Sequence, residues 1–330
     1  MLEIPDAATI NTAVTVALRA PSAHNAQPWR WRTGYSRLHL FADPDRWLPR
    51  VDPDGRDLVL GCGTALHHLR LGFATLGWAA EVDRLPEAGN PDHLAVVSLH
   101  RNEPSEVDIV LAAAIPHRRA DRRRHSAWPV PGEYVQSLAR AAVREGAELH
   151  VVTGSARHYL TAAIAEAARR HPGTHAVYTG PALRTAYRLR PKGDTARAGG
   201  SARTRSATMG HLTARPGNRR ENTETVLLVL STAGDDRLSR LRAGEATSVV
   251  LLKATAFGLS SCPLTEPLQL PGVRQTVKKL VTGGSVPQVV LRIGWAAANA
   301  EPLAAPPRRR LGDVLQPLEA PPKYHHHPIT

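Results

Sequence analysis

Two short segments carry side chains whose types and spacing can do chemistry. The first is Ala20-Pro21-Ser22-Ala23-His24-Asn25-Ala26-Gln27-Pro28-Trp29. Its prolines stiffen a non-helical stretch from which Ser22, Asn25 and Gln27 offer donors and acceptors. Such a loop can grip a flat polar heterocycle by its edge; it equally fits a helix-stop turn whose polar side chains satisfy their own backbone. The second is the run Arg118-Arg119-Ala120-Asp121-Arg122-Arg123-Arg124. Guanidinium groups match phosphate oxygens in bidentate geometry, and Asp121 is an internal partner able to hold some of them in place. By itself the run also reads as a solvated basic turn.

A further cluster, Arg308-Arg309-Arg310, follows Pro306-Pro307, so two distant groups of arginines can converge on one phosphate. The last candidate is Ser260-Ser261-Cys262-Pro263-Leu264-Thr265-Glu266-Pro267. Prolines stiffen it, and its backbone groups can face a ligand edge at little ordering cost; a plain connection between helices fits it too. Other chemistries lack their signatures. Gly61-Cys62-Gly63 has no third glycine of a dinucleotide fingerprint, and there is no phosphate-loop, GxSxG or HExxH pattern. His67 and His68 are adjacent, so on a helix they point about 100° apart and do not readily share a metal.

The elements that must position these groups follow from apolar spacing. A helix is predicted over 7–19, stopped by Pro21. Short strands are expected at 29–32 and 37–41, a helix at 63–76 ending at Gly77, and a strand at 94–97. A helix at 133–144, a strand at 149–152 and a helix at 157–170 follow. Buried strands at 226–230 and 289–293 flank an apolar helix at 245–257. Residues 171–222 differ in kind: ten Lys or Arg stand against the acids Asp194 and Glu221, with few apolar anchors. A segment of that length reads either as a functional lid or as a solvated basic loop.

An internal echo links two helices. Gly63 and Gly244 lie 181 positions apart, as do Gly77 and Gly258, Ala65 and Ala246, and Leu71 and Leu252. The offset suggests two related halves in one chain.

Composition bounds the rest. With 330 residues and 42% hydrophobic content the chain can bury a large core. A net charge of +13 invites nucleic acid, but three Phe and six Tyr, scattered rather than interleaved with a basic stripe, provide no base-stacking platform. Cys62 and Cys262 read as buried small hydrophobes in a reducing compartment. No secretory pattern and no bilayer-length apolar stretch is present, so a cytoplasmic protein free of membrane and nucleic acid is expected.

Taken together, Pro21 to Trp29 (PSxHNxQPW), Arg118 to Arg123 (RRxDRR) and Cys262 to Thr265 (CPLT) resemble the nitroreductase-like flavoprotein superfamily, closest to its Acg-type, dormancy-associated actinobacterial branch. The likeness spans most of residues 7–315. It implies an α+β fold, a three-layer sandwich in which two nitroreductase-like units are fused as a pseudo-dimer: 1–110 as the first unit and 111–330 as the second, with an inserted lid at about 171–222. It also implies a stress-response oxidoreductase that binds flavin mononucleotide (FMN) at the junction of the units and passes electrons from a reductant such as NAD(P)H, through flavin N5, to a nitro, quinone or other small acceptor. Flavin storage under a closed lid is the alternative.

By the same resemblance Arg118, Arg119 and Arg122, with Arg308 and Arg309, hold the phosphate. Pro21, Ser22, Asn25 and Gln27 contact the ring, and Pro263, Leu264 and Thr265 approach its reactive edge. His24 is a candidate for proton delivery. Ala120 stands where the family generally has Ser or Thr, which removes a hydrogen bond worth about 1 kcal/mol. A monomer suffices if both units lie in one chain.

Overall fold

The computed structural model describes residues 4–34, 37–170 and 225–318; the expected insertion at about 171–222 lies outside the described residues. Helix α1 (Ala7–Ala17) opens where the Asp6 carboxylate accepts from the Thr9 N–H at 2.7 Å. Strands β1 (Trp29–Gly34) and β2 (Arg37–Ala42) pair antiparallel, and the long helix α2 (Arg56–Thr75) follows. Next come β3 (Trp78–Arg84), β4 (His93–Arg101) and α3 (Glu106–Ala114), which Ser105 and Asp108 start with a reciprocal capping box. The second half contains α4 (Gly132–Arg144), β5 (Glu148–Val151), α5 (Gly154–Arg170), β6 (Val226–Thr232), α6 (Arg237–Ala256), β7 (Ser260–Leu264), α7 (Val273–Leu280), β8 (Val286–Gly294) and β9 (Leu315–Pro317).

The result is a mixed α+β architecture with two sheets. One runs β3-β4-β2-β1-β9, antiparallel except for the parallel β1–β9 pair; the other runs β5-β6-β8-β7, antiparallel throughout. Thus β9, from the carboxyl end, completes the sheet built by the first hundred residues. Alternation in β6 sends Leu228 and Leu230 to one core and Leu227 and Val229 to another, so helices cover both faces of the second sheet.

Between the sheets α2 and α6 cross in direct backbone contact. A Cβ built on Gly63 would stand 2.9 Å from Gly244 Cα, and one on Gly244 would stand 2.8 Å from Gly63 Cα. Only glycine permits this approach. The 181-residue echo is therefore a spatial pairing: Gly63 faces Gly244, and at the same offset His67 Nδ1 lies 2.8 Å from Ser248 Oγ. Gly77 (φ 80) and Gly258 (φ 78) both follow these helices in the left-handed region.

Several elements differ from expectation. Both central helices begin well before the predicted 63 and 245, because the glycines read as helix starts are the crossing point instead. The 260–264 stretch, read as a stiff turn, is an outer strand whose Pro263 sits where the sheet has no further neighbour. Strand β3 and helices α3 and α7 were not expected at all. Among the described residues, no helix is long and apolar enough to cross a membrane, and no group of three or more His, Cys, Asp or Glu is placed to hold a metal ion.

Candidate functional site

The loop between α1 and β1 is held in an unusual backbone conformation. His24 (φ 53), Asn25 (φ 53) and Gln27 (φ 50) all lie in the left-handed region, at a cost of about 1 kcal/mol or more each for residues with a Cβ. Local bonds over-determine the shape. The Gln27 N–H donates to Ser22 Oγ at 2.8 Å, and Thr64 Oγ1 on α2 donates to the Pro21 carbonyl at 2.5 Å. Close approach is again set by a glycine: a Cβ on Gly61 would meet Pro28 Cγ at 3.1 Å and Ser22 Cβ at 3.3 Å.

Into this loop the chain lays its own carboxyl-terminal arm. Asn25 Nδ2 donates to the Pro307 carbonyl at 3.0 Å, while Asn25 Oδ1 accepts from Arg308 Nη1 at 2.9 Å. Gln27 Oε1 accepts from the Arg309 N–H at 2.9 Å. Both side-chain amides are buried and committed to residues 307–309. Arg309 reaches the Trp29 carbonyl at 3.0 Å and the Asp43 carboxylate at 3.2 Å, anchoring the arm to the first sheet. Arg308 instead donates to the Ala20 carbonyl at 3.0 Å and the Arg19 carbonyl at 2.8 Å, with no carboxylate partner among the described residues.

Arg118, just beyond α3, points into the same region. It is 4% exposed, and its Nε and Nη1 have no hydrogen-bond partner among the described residues. Burial, then the neighbouring Arg119, pushes its guanidinium down to about 10. Arg308 is pushed down to about 9 by burial first and then by the charges of Arg118, Arg119 and Arg19. Arg119 donates to the Leu303 carbonyl at 3.3 Å and the Pro116 carbonyl at 2.8 Å. Close, partly dehydrated guanidiniums, with two bare donors on Arg118, are a group whose charge an anion can offset.

The rest of the arginine run faces elsewhere. Asp121 grips Arg123 through Nε at 2.9 Å and Nη2 at 2.8 Å, and its own N–H donates to the Ser261 carbonyl of β7 at 2.9 Å. Arg122 pairs with Glu266 at 3.1 Å. Burial alone would raise the Glu266 carboxyl, but Arg122, a backbone N–H and the adjacent His24 hold it below the ordinary range.

That contact brings His24 to the end of β7, where Pro263 pairs opposite Leu291 and the Leu264 side chain enters the core. Thr265 Oγ1 donates to Asp57 Oδ2 at 2.7 Å, and Gln269 Nε2 donates to the same oxygen at 2.9 Å. Burial drives the Asp57 carboxyl up to about 7. A small cavity lined by Ala23, His24, Trp47, Asp52, Asp57 and Leu58 opens beside these groups. The structure thus gathers Arg118, Arg119 and Arg308 at one station, and His24, Thr265 and the Arg122–Glu266 pair at another.

Sequence reasoning missed Asp57 and Glu266, the latter quoted only as part of a stiff turn, and set aside His68. Asp57 was hidden by the misplaced start of α2; an acid in a helix's first turn is an available signal. His68 was weighed only as a metal ligand. In fact both His67 and His68 reach across to Ser248 of α6, through Nδ1 at 2.8 and 2.9 Å.

No family model matches the chain. A Mycobacterium tuberculosis protein named "Putative NAD(P)H nitroreductase Rv3131" is 43% identical over 319 residues, covering 94% of this chain and 92% of that protein. The M. tuberculosis protein named "Putative NAD(P)H nitroreductase acg" is 35% identical over 316 residues, covering 93% and 95%. A crystal structure of a protein from Anabaena variabilis, described as a nitroreductase, superposes with a TM-score of 0.52 at 9% identity over 89% of this chain and 90% of its own, a likeness of fold. With relatives this similar along nearly their whole length, and with its three motifs in place, the chain belongs to the Acg-type nitroreductase family.

Proposed function

We propose that this protein is an FMN-dependent oxidoreductase that takes electrons from a nicotinamide reductant and delivers them to a small nitro, quinone or related acceptor. The observation that carries this reading is a pair of neighbouring arginines without acids, Arg118 buried and Arg308 partly buried. Arg118, with two guanidinium nitrogens unpartnered among the described residues, stands close enough to Arg308 to depress its basicity. A dianionic phosphate ester is the ligand that such a pair fits. The bound flavin supplies the two-electron chemistry, and the protein sets orientation, electrostatics and access.

Within this reading the residues divide into two kinds. Arg118, Arg119 and Arg308 hold the phosphate. Pro21, Ser22, Pro263 and Thr265 flank the ring, and His24 beside Glu266 is the group placed to handle a proton. Asn25 and Gln27 act chiefly by fixing the arm, Asn25 by orienting Arg308 and Gln27 by holding the Arg309 backbone. Arg309 is an anchor, and Arg122 keeps Glu266 ionised near His24.

We further read the chain as two nitroreductase-like units, 1–110 and 111–330, fused in a three-layer pseudo-dimer. The Gly63–Gly244 crossing at the 181-residue offset supports that reading, with the arm at 307–317 returning to the first unit. One chain then completes the site. The nicotinamide reductant rests on the names of the relatives. The first test is reconstitution: the purified protein should acquire a flavin absorption band with FMN. A colourless protein that FMN cannot load would overturn the proposal.

A further inference from the structure

Among the fully buried polar side chains that the proposed chemistry does not use is His68. His68 has no exposed surface, and its Nε2 has no hydrogen-bond partner among the described residues. It lies one turn beyond Thr64 on the same face of α2. Thr64 holds the Pro21 carbonyl, and Arg308 holds the carbonyl of the preceding residue, Ala20. Helix α2 therefore delivers His68 to the neighbourhood of Arg118 and Arg308, both of whose charges act on its ring. We propose that His68 Nε2 is a third ligand of the phosphate bound by Arg118 and Arg308, and that Ser248 is the positioning residue that sets its proton. This inference rests on the FMN reading above.

The proton count at Ser248 permits the assignment. A hydroxyl has one hydrogen to donate, yet Ser248 Oγ contacts two ring nitrogens, His67 Nδ1 at 2.8 Å and His68 Nδ1 at 2.9 Å. If His67 donates to the hydroxyl and the hydroxyl donates to His68, the His68 proton resides on Nε2. The ring is then a neutral donor. Burial, followed by His67, Arg118 and Arg308, keeps His68 well below the ordinary histidine range and outweighs a ring hydrogen bond to the Thr64 backbone that acts the other way. A neutral ring adds a hydrogen bond to the anion without adding a cation to an already repelling pair. On this view the buried His67-His68 pair ties the α2–α6 crossing to the ligand: the same Ser248 that joins the helices prepares the donor.

The test separates phosphate recognition from flavin recognition. Flavin-free protein is titrated with FMN and with riboflavin, which lacks the phosphate, for wild type, His68→Phe, His68→Gln and Arg118→Met. Wild type is expected to prefer FMN strongly. His68→Phe should lose about tenfold or more of its FMN affinity, the worth of a hydrogen bond to a charged group, with riboflavin affinity unchanged, and His68→Gln should recover part of the loss. In nitrogen-15 spectra of wild type, FMN but not riboflavin should shift the His68 Nε2–H resonance, a readout that stands even if His68→Phe fails to fold. Retention of the wild-type FMN-to-riboflavin ratio in both His68 variants while Arg118→Met lowers it, or a His68 resonance indifferent to FMN, overturns this inference alone. A wild-type protein that does not distinguish FMN from riboflavin overturns it together with the phosphate site.

Discussion

Replacing Arg118 with methionine should make the flavin-free protein more stable and the flavin-bound protein weaker, a combination that a merely structural arginine does not give. The guanidinium is driven by burial, and secondarily by Arg119, to about 10 from an ordinary value near 12.5. At about 1.36 kcal/mol per pH unit, the buried charge opposes folding by roughly 3 kcal/mol at neutral pH. Methionine removes the charge and retains most of the stem packing, so part of that amount, about 1 to 2 kcal/mol after the cost of an imperfect fill, should appear as added stability. Binding moves the other way. Two charge-assisted hydrogen bonds from Nε and Nη1 are worth about 1.5 kcal/mol or more each, so FMN affinity should fall by about a hundredfold or more. Urea denaturation of the flavin-free variant and fluorescence titration with FMN read the two effects separately. The reasoning fails if the flavin-free variant is destabilised by a kilocalorie or more, or if its FMN affinity matches wild type.

Other consequences follow from the same geometry. Gly63→Ala should destabilise the protein by about 3 kcal/mol or more, because its Cβ would stand 2.9 Å from Gly244 Cα and meet backbone that cannot turn aside; denaturant midpoints should show the loss, and a near-neutral result would refute direct contact of α2 and α6. Asn25→Ala should weaken FMN more than riboflavin, since it releases Arg308 Nη1, while circular dichroism stays native. Asp57 contributes through pH. Its carboxyl is raised to about 7 in the folded state against an ordinary 3.8, so its support for folding is full below about pH 4 and is lost as pH rises through about 7. Asp57→Asn should therefore gain stability relative to wild type between pH 4 and pH 8; a difference that does not change across that range would contradict the burial of this carboxyl.

The loop and the arginine clusters were legible in the sequence because prolines and runs of like charge are local signals. Arg118 lies near enough to Arg308 to lower its basicity, a proximity of the two clusters that the spacing left open. What spacing could not give was which groups are already taken. Asn25 and Gln27 read as free ligand contacts, yet both side-chain amides are engaged by Pro307–Arg309, residues some 280 positions away. Arg309 and Arg122 look like Arg118 in sequence, and only tertiary placement gives them Asp43 and Glu266.

Helix boundaries failed for a related reason. Gly63 and Gly244 weaken helix propensity locally, and the preference for close backbone contact across the crossing overrides it. Strand β7 was hidden by Pro263, which is tolerated only because the strand lies at the sheet's outer edge. Helix α3 was read as a charged stretch, and its Val107, Ile109 and Val110 are in fact about half exposed, giving no clean apolar stripe to detect.

Anaerobic mixing of the FMN-loaded protein with NADPH, and in parallel NADH, tests the proposed activity most directly. An oxidoreductase of this kind should lose its flavin absorbance with one of the two and regain it on addition of a nitroaromatic or quinone. Persistence of the oxidised flavin spectrum with both nucleotides, in protein that dithionite still bleaches, would contradict turnover with a nicotinamide donor and leave a protein that only holds its cofactor.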